Sequence, residues 1–177
     1  MRKGGGKSKG NSFERDVCRK LSTWITNGTD SEVFWRAASS GAMATQRQKV
    51  GKDTRQHGDI TSVDAAGNAF IDNHYIECKF YKDLHVQNIV FGKRLVGEGN
   101  LYNIWVDTRN KSIELGKSPL LICRQNNMPE IICLRPPSVR GFFDSMDAEL
   151  NMTMENTRSG MCVFRFDYFL ENAKVPS

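Results

Sequence analysis

Four residues of this chain combine types and spacings that could do chemistry. Glu77 follows Asp59 by eighteen positions, and Lys79 stands two further on, in the stretch HYIECKF from His74 to Phe80. Side chains alternate between faces along a strand, so Ile76, Cys78 and Phe80 share one face while Glu77 and Lys79 share the other. Glu14 is the fourth residue. It precedes Val17, Cys18 and Leu21 by three, four and seven positions, which puts a carboxylate on the apolar side of a helical repeat. Carboxylates are hard oxygen ligands for one or two Mg²⁺ ions. A cation so held lowers the pKa of a bound water and clamps phosphate oxygens. A neighbouring ammonium can orient or deprotonate that water, or stabilise the transition state. Hydrolysis of a phosphodiester needs these parts together. The same residues also have a plainer reading, as a half-exposed strand carrying a charge pair and, for Glu14, as the N3 position of a capping box begun by Asn11.

The elements that must position these groups can be read from periodicity. NSFERDVCRKLSTWITNG, residues 11–28, predicts the first helix, capped by Asn11 or Ser12 and ended by Gly28. Val33 to Ala37 predicts a short strand, and residues 42–57 a long polar loop. DITSVDAAGNAFIDNHYIECKFY reads as a β-hairpin turning at Ala66-Gly67-Asn68, which would carry Asp59 back beside His74 to Glu77. Beyond it comes a helix with Leu101, Ile104, Trp105 and Leu115 on its core side. Two short buried strands, SPLLICRQ and PEIICLR, then flank the turn Asn126 to Pro129. This order is that of a mixed α/β domain.

Composition is that of a globular protein of 177 residues, with 39% hydrophobic and 25% charged residues. No apolar run approaches the roughly 18 residues of a membrane helix. The basic N-terminus has no apolar stretch behind it, so the chain is expected to stay in the cytoplasm. Five cysteines, an odd count with no CxxC pair, read as reduced core residues. The net charge of +5 is uneven. Residues 1–20 hold seven Lys or Arg against Glu14 and Asp16, and residues 36–57 hold five against Asp53. Two basic segments at one end of the chain suit a polyanionic partner. The first of them, MRKGGGKSKG, is Gly- and Lys-rich and reads as a disordered basic arm over residues 1–10.

GDI at Gly58 to Ile60 and IECK at Ile76 to Lys79 resemble the PD-(D/E)xK nuclease superfamily, with Gly58 where the pattern's name has proline. Within it, KGNSFERDVCRKL, FWRAASSGA and GKSPLLICRQNNMPEIICL are similar to archaeal-type Holliday junction resolvases and related phage nucleases, over roughly residues 9–134. The resemblance implies a restriction-endonuclease-like core with a mixed central sheet flanked by helices. That core would be residues 11–135, with residues 136–177 as a C-terminal extension packed on the same domain. It implies a DNA endonuclease using Mg²⁺ or Mn²⁺, acting on branched DNA and above all on four-way junctions. Duplex, flap or single-stranded DNA is the alternative substrate, and a non-catalytic nucleic-acid-binding protein a more distant reading. It makes Glu14, Asp59 and Glu77 acidic metal-site residues, the main-chain carbonyl of Cys78 a further ligand, Lys79 the catalytic lysine, and Ser39 or Ser40 a neighbour of the DNA. It also implies a homodimer, and the apolar residues Phe142, Phe143 and 161–170 could serve either a dimer surface or the core. DNA phosphates would meet Lys3, Lys7 and Lys9 of the arm, Arg36, and Arg47, Lys49, Lys52 and Arg55 of the long loop.

Overall fold

The first element is helix α1, Gly5–Ile25. It appears in a computed structural model of the chain, which describes residues 5–37, 57–85, 100–143, 154–156 and 160–176. Phe13, Val17, Leu21, Trp24 and Ile25 recur at helical spacing and are all buried. The helix begins earlier than its sequence predicts. Asn11 and Ser12 lie inside it and cap nothing, so the capping-box reading of Glu14 falls away. Residues 5–10 continue the helix instead of forming a disordered arm, although three of them are glycine. Intrinsic propensity does not favour this; what accompanies it is a tertiary contact, the Lys9 ammonium 6.0 Å from the centre of the Phe80 ring.

Strand β1, Phe34–Arg36, pairs antiparallel with β2, Ile60–Ser62. The expected hairpin is absent. Residues 65–73 form helix α2, Ala65–Asn73. Asp64 caps it by accepting a 2.8 Å hydrogen bond from the Ala66 amide. Gly67, Phe70 and Ile71 make its buried face. Gly67, read from sequence as a turn residue, is there because the helix is pressed against its neighbours. A Cβ at that position would lie 2.6 Å from both the Phe34 ring and Ser62 Oγ.

Strand β3, His74–Tyr81, runs parallel to β4, Ser118–Gln125, with Glu77 beside Leu121 and Lys79 beside Cys123. Helix α3, Leu101–Glu114, is capped by Asn100 and precedes β4. Strand β5, Ile131–Leu134, helix α4, Pro136–Phe142, strands β6, Met154–Asn156, and β7, Met161–Arg165, and helix α5, Phe166–Asn172, complete the described elements. The central sheet has the order β3-β4-β5-β7-β6, parallel at its first pairing and antiparallel elsewhere. It is the mixed sheet, flanked by helices, that the nuclease resemblance implies. Residues beyond 135 do more than pack on it, because β7 supplies one of its strands.

Alternation sorts the sheet into two faces. Ile76, Cys78, Leu120, Ile122, Ile132 and Phe164 pack in one cluster with α1, α2, α4 and α5. Leu121, Cys123, Cys133 and Val163 pack in another with Leu101, Ile104 and Trp105 of α3. Phe142 and Phe143 are buried in the first cluster, so this apolar surplus belongs to the core of the chain. All five cysteines are buried, and none is in a disulfide. Among the described residues no helix is long and apolar enough to cross a membrane.

Candidate active site

Asp59 sits where a sheet edge needs a partner. Among the described residues β3 is an edge strand, and Gly58 meets Ile76 in a parallel bridge on its outer side. The Asp59 amide donates to the Ile76 carbonyl at 2.9 Å. The Cys78 amide donates to Asp59 Oδ2 at 2.8 Å. A strand residue sends its N–H and C=O to the same side, so the Cys78 carbonyl also faces this free edge. The approach is close enough to exclude any side chain at position 58. Gly58 has φ +94°, and a Cβ there would lie 2.4 Å from the Ile76 carbonyl oxygen. Proline, with φ fixed near −65°, is equally excluded.

Glu77 and Lys79 lie on the face covered by α3. The Lys79 ammonium is ion-paired with Glu77 Oε1 and stands 3.8 Å from Asp59 Oδ2. The Tyr75 hydroxyl, two residues back on the same face, donates to Glu77 Oε2 at 2.6 Å. Asp59 and Glu77 are 5% and 6% exposed. Burial, and then the charge of Glu77, push the Asp59 carboxyl up from 3.8 to about 6, against the pull of Lys79 and the Cys78 amide. Burial would also raise Glu77, but Lys79 and the Tyr75 hydroxyl bring it below its ordinary value. The two acids thus divide: Glu77 keeps its charge, and Asp59 is the one that takes a proton first. Burial alone would lower Lys79, but both carboxylates hold it above its ordinary value, as an ammonium.

Glu14 reaches the same edge from the opposite face of the sheet. It is ion-paired with Arg36, and its charge is close enough to raise both Cys18 and Asp59. The structure therefore brings Glu14, Asp59, Glu77, Cys78 and Lys79 to one sheet edge. Arg36 joins them as the partner of Glu14. Lys9 lies at the Phe80 end of the same strand. Lys3, Ser39, Ser40, Arg47, Lys49, Lys52 and Arg55, and the side chain of Lys7, lie outside the described residues.

A family model described as "Phage putative PDDEXK endonuclease" matches residues 5–175. The chain belongs to this family. Searches among curated proteins and among solved structures match nothing.

For a PDDEXK endonuclease the donor set at this edge can be tested against a divalent cation. Two buried carboxylates and a free-edge carbonyl are hard oxygen donors of the kind Mg²⁺ takes. Asp59, raised by desolvation and by Glu77, is a group that a nearby cation would relieve. Glu14 is ion-paired with Arg36, as Glu77 is with Lys79, and stands as a further carboxylate at this edge. Among the described residues no three His, Cys, Asp or Glu side chains form a ready metal cage. A cation here would rest on Asp59, Glu77 and the Cys78 carbonyl, with water and substrate oxygens completing its shell. That arrangement is usual for Mg²⁺, which is seldom held in an all-protein cage.

The acid–lysine face opens into a cleft of about 580 Å³ whose far wall is α3, through Tyr102, Asn103, Asp107 and Lys111. None of these was singled out by sequence, because only packing brings α3 opposite β3. Tyr75 was legible in principle, since alternation places residues 75, 77 and 79 on one face.

Proposed function

We propose that the chain is a divalent-metal-dependent DNA endonuclease that recognises DNA structure, with four-way junctions as its foremost substrate. The observation that carries the catalytic part is the Asp59 carboxylate held on the Cys78 amide within 3.8 Å of Lys79, with Glu77 paired to the same ammonium. Asp59, Glu77 and the Cys78 carbonyl would hold the cation, which would acidify a bound water and neutralise charge on the phosphate. Lys79, kept protonated by two acids, donates hydrogen bonds to that water and to the phosphoryl oxygens as charge develops on them. Tyr75 holds one Glu77 oxygen, leaving the other for Lys79. The buried face of Ile76 and Cys78 fixes β3 so that these groups do not wander. Glu14 and Arg36 form the flank of the site on the α1 side. The junction preference rests on the likeness of KGNSFERDVCRKL and FWRAASSGA to junction resolvases and on basic segments that would read phosphates and shape.

The test is a cleavage assay in Mg²⁺ or Mn²⁺ on a four-way junction, a matched linear duplex and a single strand. Paired symmetric nicks confined to the junction, and absent in Asp59→Asn, are expected. Glu77→Gln and Lys79→Ala should lose cleavage while keeping DNA affinity. Equal cutting of the duplex would remove the junction preference, and undiminished cutting by Asp59→Asn would remove the site.

A further inference from the structure

The three tryptophans are not equivalent. Trp24 and Trp105 are 6% and 0% exposed, whereas Trp35 is 57% exposed. Alternation along β1 buries Phe34 and turns Trp35 to the other face. Helix α1 lies along the free edge of this strand, where the Phe34 amide donates to Ser22 Oγ at 2.8 Å. The indole therefore stands beside the helix surface bearing Arg15 and Arg19, one turn apart. Between them is an open notch of about 270 Å³, lined also by Ser31, Glu32 and Arg36. Three guanidiniums face one carboxylate there. Arg36 is taken by Glu14, and among the described residues neither Arg15 nor Arg19 has a carboxylate partner.

An exposed indole flanked by two guanidiniums that, among the described residues, have no carboxylate partner suits one ligand chemistry. A nucleobase stacks on an indole at roughly 1–3 kcal/mol per base. Guanidiniums hold phosphates by forked hydrogen bonds. Bases inside a duplex are already stacked and cannot reach the indole, so the fitting occupant is an unpaired nucleotide. Arg36 lines the notch and also pairs with Glu14 at the candidate active site, so an occupant here would lie next to the reacting phosphate.

We propose that this notch binds an unpaired nucleotide of the DNA substrate, its base on Trp35 and its phosphates on Arg15 and Arg19. The proposal rests on the nuclease reading for the identity of the substrate. It adds that, at a junction, cutting falls beside a nucleotide left unpaired at an opened branch point.

Trp35 is the one exposed indole, so iodide quenching of the intrinsic fluorescence reports on it directly. The experiment uses full-length Asp59→Asn protein with oligothymidylate, a blunt duplex of equal length, and that duplex carrying a single-stranded flap. Oligothymidylate and the flap should shield Trp35 from iodide, and the blunt duplex should not. Trp35→Ala should weaken oligothymidylate binding about 5- to 150-fold, with Trp35→Phe restoring most of it. Arg15→Gln with Arg19→Gln should flatten the salt dependence of single-strand binding. Equal shielding by the blunt duplex overturns the proposal, as does oligothymidylate affinity within twofold of normal in Trp35→Ala. Wild-type cleavage run in parallel separates the two readings. DNA cutting without shielding of Trp35 overturns the notch and leaves the nuclease, whereas shielding without cutting of any DNA supports the notch and overturns the nuclease.

Discussion

Replacing Asp59 by asparagine should stabilise the protein at neutral pH, although the same change should abolish cleavage. The charged carboxylate is 5% exposed and lies beside Glu77. The rise of its pKa from 3.8 to about 6 corresponds to about 3 kcal/mol held against the charged form. Because the folded pKa is the higher one, the folded state binds the extra proton. Stability is therefore lost as pH rises from about 4 to about 6, and the full cost persists above that. Asparagine has no charge to bury, and its carbonyl oxygen can still accept from the Cys78 amide. At pH 8, without divalent metal, Asp59→Asn should unfold at a Tm about 6–12 °C above the wild type, taking 2–4 °C per kcal/mol for a chain of this size. Near pH 4 the two should converge. Calorimetry or denaturant titration at both pH values checks this. A variant less stable than the wild type by the same amount at pH 8 and pH 4 would show that the carboxylate is stabilising in place and refute the reasoning.

Gly58→Ala combines a left-handed φ with a 2.4 Å approach to the Ile76 carbonyl. It should cost about 1–3 kcal/mol or more and, by displacing Asp59, lose cleavage, which thermal melts and the nicking assay would show. Tyr75→Phe removes the donor to Glu77 Oε2. The Glu77 pKa should then rise, which an NMR titration of the metal-free protein would show; an unmoved Glu77 titration would deny Tyr75 this role. Mg²⁺ should raise the Tm of the wild type by an amount that grows with its concentration and should do so much less for Glu77→Gln. Equal gains for both would place the cation elsewhere.

The periodic segments of the fold were legible because a single interaction decides each. The apolar repeat of α1, the Leu101, Ile104 and Trp105 spacing of α3, and the runs SPLLICRQ and EIICL read correctly, whereas Leu115, expected on the core side of α3, lies past its last turn and is only half-buried. The stretch from Asp64 to Asn73 did not. Ala66-Gly67-Asn68 resembles a turn, and the Asp64 cap is as good a signal for a helix. Tertiary packing of Gly67 against Phe34 settles the matter. Asp59 still arrives beside Glu77, by a strand bridge and not by a hairpin. The alternation of Glu77 and Lys79 was plain, since it depends only on strand geometry. That Glu14 and Glu77 belong to opposite faces of the sheet, and that Arg36 answers Glu14, depends on contacts between elements distant in sequence. Nothing local encodes those contacts.

The free side of β3 has a consequence for the solution behaviour of the chain. An edge strand with unsatisfied amides is a template for a foreign strand, and proteins guard such edges with charges, tight turns or coverings. Gly58 and Asp59 are that covering here, taking the Ile76 carbonyl and the Cys78 amide. The carboxylate proposed to do chemistry is therefore also a stopper against aggregation. Asp59→Ala would expose the Cys78 amide at a hydrophobic edge, and its inactivity would be entangled with self-association. Asparagine keeps the stopper while removing the charge. Selection acting on solubility alone would favour a short hydrogen-bond acceptor at this position, even in a descendant that had ceased to cut.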